Sequence, residues 1–319
     1  MPLNIATVAG LAIALSAGVW GLFWVPLYAI QATGVRELWA SAMFLLTPAP
    51  VAFLAAHRFG RDIRANRETW LLGSACGVSV VLYTLGLLTS DVVRVTYLFY
   101  LMPIWTSLLA LIFLGETLSN IRRFAIVGAL VGLVCLLGFE EGIPWPRGLG
   151  DWCGLAAGVI WAGCLVTLRG EAEIDPWRAT FCMLLVGGLF ALCLAIALPE
   201  QRALVPSFTA IGRALPLAAV VGIAVFWPTS VAMLWGARFV FASTAALLTM
   251  SELIVATASA TWALGTSIGI VGWIGAGLIA FCVTLDLGSQ RRKQVDNAPS
   301  DVSAGSETLD AHVSQRERS

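Results

Sequence analysis

Residues 92–114 read VVRVTYLFYLMPIWTSLLALIFL, a run of 23 positions with one charged side chain, Arg94, near its start. At about 1.5 Å of rise per residue such a helix reaches ~35 Å, enough to cross the ~30 Å hydrocarbon core of a bilayer. It has no charged face to turn toward water. Apolar runs of similar length lie on either side of it. Three precede it, near 6–30, 36–56 and 69–89. Six follow, near 121–139, 149–168, 178–198, 215–236, 240–263 and 267–288. The sequence therefore predicts an all-α polytopic membrane protein with ten spans. The composition agrees: 59% of the 319 residues are hydrophobic and 12% are charged, against about 25% charged in soluble domains. A water-soluble globular fold is excluded on that balance.

Charge placement orients the spans. Of 19 basic residues, 14 fall on the side that ten spans give to both termini and the even-numbered loops, and 5 on the other. Basic loops stay cytoplasmic, so both termini are expected in the cytoplasm of a cell inner membrane. Trp39, Trp70, Trp145, Trp152, Trp177 and Trp273 fall near span ends, the usual depth for interfacial indoles. The first run has no basic residue before it, unlike a cleaved signal, and is read as a retained span. The seven cysteines sit in or beside apolar runs with no CxxC and no neighbouring histidine, so neither a disulfide framework nor a metal site is expected. From 289 the chain turns polar and is expected to be a disordered cytoplasmic tail. Its Arg291-Arg292-Lys293 start is a juxtamembrane anchor rather than a nucleic-acid patch.

The two halves of the chain overlay. Tyr100-Leu101-Met102-Pro103 precedes Gly115-Glu116-Thr117, and Met250-Ser251-Glu252-Leu253 precedes Gly265-Thr266-Ser267 at an offset of 150. Ala17-Gly18-Val19-Trp20 in the first span is echoed by Ala157-Gly158-Val159-Ile160-Trp161 in the sixth. Glycine-dotted spans (Gly128 and Gly132; Gly269, Gly272, Gly275 and Gly277) close each half. Five spans per copy force the second copy to insert upside down, so the expected architecture is two inverted five-helix repeats, 1–140 and 147–288, with the tail at 289–319. Inverted repeats place a transport site near the midplane, where the copies meet.

The string Leu109-Ala110-Leu111-Ile112-Phe113-Leu114-Gly115-Glu116, with Pro103 upstream, resembles the end of the fourth helix in EamA-type proteins of the drug/metabolite transporter superfamily. The Trp-bearing first helix of each half and the position of Glu252 fit the same pattern. The resemblance implies a ten-helix inner-membrane carrier with a central cavity. Two departures stand out: Gly265-Thr266 lacks the Glu often found there, and Leu253 stands where Pro is expected.

Candidate site residues follow from cost. Glu252 lies midway along the ninth span, where an ionisable side chain is expensive and turns to the bundle interior or a water cavity. It is a candidate to meet a cationic group or to carry a coupling proton; the structural alternative is a bond to Thr249 or Ser259. Arg94, three residues from Tyr97, is a candidate for a substrate carboxylate, with a helix-anchoring pair to Asp91 as the alternative. Trp20, Trp24 and Tyr28 recur every four residues; Tyr97, Tyr100 and Trp105 lie along the fourth span, and Trp161, Trp227 and Trp262 lie inside others. Phenols and indoles within a bundle need hydrogen-bond partners, so an aromatic-walled, partly wet cavity is expected, suited to aromatic side chains or to ammonium groups through cation–π attraction. Trp20, Trp24, Tyr97, Tyr100, Trp105, Trp161 and Trp227 are its candidate lining beside Glu252 and Arg94.

No GxxxxGK[ST] or Gly-rich loop is present, so no nucleotide or other cofactor is expected and transport is read as secondary. The leading reading is a carrier of small organic metabolites, amino acids or related amines, working by alternating access as monomer or dimer. Multidrug or quaternary-ammonium efflux is the rival reading, and a non-transporting sensor or scaffold the remote one. An intramembrane enzyme is set aside because the two histidines, His57 and His312, fall in a loop and in the tail.

Overall fold

The computed structural model describes residues 5–60, 67–138, 145–171, 173–265 and 268–296. Among them no strand occurs, and ten helices are long and apolar enough to cross a membrane. These are α1 (Ile5–Ala32), α2 (Glu37–Phe59), α3 (Arg67–Thr89), α4 (Val92–Leu114) and α5 (Asn120–Leu137), then α6 (Leu149–Gly170), α7 (Pro176–Ala197), α8 (Phe208–Ala237), α9 (Ala242–Ala263) and α10 (Ile270–Ser289). Ile5 and the end of α10 share one end of the bundle, called here the terminal end. The expected spans match these helices, with two extensions. α8 starts at Phe208 rather than near 215, because Ser207 caps it by accepting the amide of Ala210 at 3.2 Å and Arg213 is held by the carbonyl of Thr209 at 3.3 Å. The helix of α10 continues through Asp296, into the expected tail; residues 289–296 contain neither Gly nor Pro, the residues that stop a helix. The rest of the tail lies outside the described residues.

Side chains set the starts. Asp91, Ser119 and Asp175 accept the amides of Arg94, Arg122 and Trp177, which satisfies donors that the first helical turn leaves open. Several spans are broken within the membrane. α4 divides into Val92–Phe99 and Met102–Leu114, since Pro103 has no N–H and its ring opposes the carbonyl four residues earlier. α1 is interrupted between Trp20 and Trp24, ahead of Pro26. α8 carries a π-helical turn, Gly222–Phe226, just before Pro228, the widened turn that accommodates such a lesion. α9 breaks at Met250 without any proline.

The repeat is visible in these details. The breaks of α4 and α9 lie at Tyr100–Leu101 and Met250. Both helices end on a left-handed glycine, Gly115 (φ 64°) and Gly265 (φ 66°), 150 positions apart. That conformation penalises any Cβ. α5 and α10 pack against each other, as do α3 and α7. At Gly132 a Cβ would sit 2.8 Å from the carbonyl oxygen of Gly275, so the two backbones touch, the close approach that small residues permit between helices in a membrane.

Candidate functional site

A cavity of about 200 Å³ lies where the two repeats face each other. α1 contributes Trp20, Phe23 and Leu27, α2 Ser41 and Phe44, and α3 Ser79, Tyr83 and Thr84. From the inner halves of α4, α6, α8 and α9 come Phe99 and Met102, Trp161, Phe226, and Thr249 with Glu252. The lining on α1, α2 and α3 lies toward Ala32, Glu37 and Thr89, so the cavity extends from midplane toward the end opposite the terminal one.

The wall is a continuous aromatic cluster. Trp20 stacks on Phe226 (5.4 Å between ring centres, 30°) and tilts against Trp161 at 5.8 Å. Phe226 also meets Phe23 and Phe44 at 4.9 and 5.1 Å. The Trp20 indole is oriented by donating to Thr229 Oγ1 on α8 at 3.1 Å. Tyr83 packs on Phe99 at 4.3 Å. Among the described lining residues Glu252 is the sole carboxylate, and none is basic. The Tyr100 hydroxyl lies near its carboxylate, at the break in α4. The break in α9 sets Glu252 in the first turn of the second half-helix. Its partner is thus neither Thr249, which donates to Ala246 and Met102, nor Ser259, which accepts from Trp24.

The remaining candidates go elsewhere. Trp24 donates to Ser259 at 3.0 Å and joins α1 to the outer half of α9. Tyr97 donates to the carbonyls of Val134 and Gly138 at the end of α5. Arg94 reaches the fully buried Asp151 of α6, Nη1 to Oδ2 3.3 Å, and does not line the cavity. Trp105 is partly buried outside it, its indole nitrogen without a hydrogen-bond partner among the described residues. Trp227 lines a separate cavity of about 590 Å³ toward the terminal end, with Phe59, Trp177 and Trp235. The structure therefore brings Trp20, Trp161 and Glu252 together, with Tyr100 behind the carboxylate.

Phe23, Phe44, Tyr83, Phe99 and Phe226 were not among the candidates. Phe23 had a signal: Trp20, Phe23 and Leu27 follow helical spacing as well as Trp20, Trp24 and Tyr28 do. The interruption after Trp20 selects the first set and leaves Tyr28 70% exposed. Phe226 beside Trp227 had none, because neighbours on one helix point apart and only packing assigns each its side.

A family model described as the EamA-like transporter family matches twice, over residues 5–138 and 148–285. No curated protein matches the sequence. A protein solved by crystallography superposes with a TM-score of 0.66 at 20% identity, covering 87% of this chain and 97% of that one; at that identity the likeness concerns the fold alone. Ten apolar helices, a two-fold internal repeat and a cavity between the copies agree with the double match, and the chain belongs to the EamA-like transporter family of membrane transporters of small molecules.

Proposed function

We propose that the protein is a secondary carrier of small amine-bearing organic metabolites, amino acids among them, that passes its cargo through the central cavity by alternating access. The observation that carries this reading is the carboxylate of Glu252, the one charged group among the described lining residues, facing an aromatic wall. An ammonium group finds there both a counter-charge and ring faces, and a proton can take its place on the carboxylate as coupling ion. The basic-residue asymmetry supports an inner-membrane location with both termini cytoplasmic. The test is uptake of radiolabelled amino acids and amines into proteoliposomes. Glu252→Gln is expected to reduce uptake by more than about tenfold, as loss of the counter-charge in a largely apolar cavity does. Full activity of that variant on every cargo would overturn the reading.

One observation favours the rival cargo. Arg94, the sequence candidate for a substrate carboxylate, is engaged with Asp151 instead, so among the described lining residues a carboxylate meets uncharged donors only, the hydroxyls of Ser41, Ser79, Tyr83, Thr84 and Thr249 and the indoles of Trp20 and Trp161. Amines without a carboxylate, quaternary ammonium ions included, then compete on equal terms with amino acids. Competition by a permanent cation of similar size separates the two.

A further inference from the structure

From the terminal end to the cavity wall at Thr249, the first half of α9 (Ala242–Thr249) is buried along its whole length. Two arginines from different helices close on Phe241, the residue that starts it. The guanidinium carbon of Arg122 on α5 stands 4.0 Å from the centre of the Phe241 ring, and that of Arg169 on α6 stands 5.5 Å from it. Each arginine has its own carboxylate. Arg122 Nε pairs with Asp286 Oδ1 on α10 at 3.3 Å, with both side chains under 5% exposed. Thr244 Oγ1 donates to the other oxygen of Asp286. Arg169 Nε pairs with Glu116, just past α4, at 3.2 Å, and its Nη1 donates to the carbonyl of Arg238 at the end of α8 at 3.3 Å. Helices from both repeats are thus gathered around one aromatic ring.

We infer that Phe241, packed against Arg122 and Arg169, is the positioning residue that keeps the cavity shut toward the terminal end, and that its release opens that end. The inference rests on the transporter reading and is independent of which cargo is carried. Three observations support it. α5 and α10 touch backbone to backbone at Gly132 and Gly275, so Arg122 and Asp286 sit on a pair that does not part. The ring contact has no hydrogen bond to lose: when Phe241 leaves, Arg122 keeps Asp286 and Arg169 keeps Glu116, and no charge is stranded. The device is also one-sided. The position 150 residues before Thr244 is Arg94, which likewise binds a fully buried aspartate, Asp151. The position 150 before Phe241 is Asp91, which caps its helix. The ring packed against two cations belongs to the terminal end.

The test is hydrogen exchange of the full-length protein in lipid nanodiscs, with no cargo needed. Changing Arg122 would leave Asp286 buried without its counter-ion, so Phe241→Leu, which keeps apolar bulk and removes the ring, is the primary variant. Arg169→Gln, at a side chain 35% exposed, is the second, and Phe241→Tyr is the control that keeps the ring. In the first two, amides of Ala242–Thr249 are expected to exchange about tenfold faster, while those of 79–87 on α3 slow as the cavity closes at the other end. Phe241→Tyr should match the unaltered protein. Unchanged exchange at both ends, or faster exchange at both, overturns the inference, the second because general loosening moves both ends in one direction. Loss of amine transport with this reciprocal pattern intact would count against the cargo reading alone.

Discussion

At the scale of single residues the protein separates a charge that faces the cavity from charges that hold helices together. Glu252 is partly exposed and faces the cavity, whereas Asp151 and Asp286 are fully buried and spoken for by arginines. Arg94→Ala should therefore lower stability and leave cargo affinity alone. Asp151 keeps its bonds from Ser90 and from the amides of Arg147 and Gly148, so the loss should be about 1–3 kcal/mol, read as a fall in Tm with KM unchanged. A raised KM with unchanged Tm would instead return Arg94 to the site. Tyr100→Phe removes the hydroxyl that faces Glu252 and should alter affinity several-fold, consistent with about 1 kcal/mol for one hydrogen bond, while the fold persists. Glu252 was legible in the sequence because a carboxylate at mid-span is costly and rare. Arg94, Tyr97 and Trp24 were read toward the cavity because a straight helix puts them near residues that do line it. Partners distant in sequence, Asp151, Gly138 and Ser259, claim them, and sequence spacing carries no sign of such partners.

At the scale of helices, the interruptions matter more than the spans. The breaks at Pro103 and Pro228 could be read from proline chemistry, and that at Met250 could be inferred only through its repeat mate at Tyr100. The half-helix before that break, Ala242–Thr249, is buried along its length, and the Ser251 hydroxyl just after it donates to the carbonyls of Leu248 and Ala14. Glycines fix the helix ends and the closest packing. Gly265→Ala should cost about 1 kcal/mol, the penalty for a Cβ in the left-handed region, with activity preserved. Gly132→Val is a different matter. Its Cβ would meet the carbonyl of Gly275 and the backbone nitrogen of Ile279 at 2.8 and 3.1 Å, and a main chain cannot step aside as a side chain can. Loss of monodisperse protein on size exclusion is expected for Gly132→Val, and normal behaviour would show that α5 and α10 can separate.

At the scale of the molecule, count and repeat were legible because they repeat: ten similar runs and an offset of 150 are signals that average out local error. The wall of the cavity was not, since it is assembled from side chains on seven helices distant in sequence. Its most consequential feature is electrical. With one carboxylate and no basic group among its described lining residues, the empty cavity carries a net negative charge whenever Glu252 is ionised, and none once a proton or a monovalent cation sits on it. Voltage performs about 2.3 kcal/mol of work per elementary charge per 100 mV. In a carrier that works this way, membrane potential drives the return of the unloaded site and leaves the loaded crossing nearly untouched. An inside-negative potential pushes the anionic empty site outward and primes the protein for uptake, so a potassium-diffusion potential across a liposome should speed net entry of a cationic cargo without altering one-for-one exchange. In Glu252→Gln the empty site is neutral and the loaded one carries the charge of the cargo, so one-for-one exchange should become sensitive to voltage.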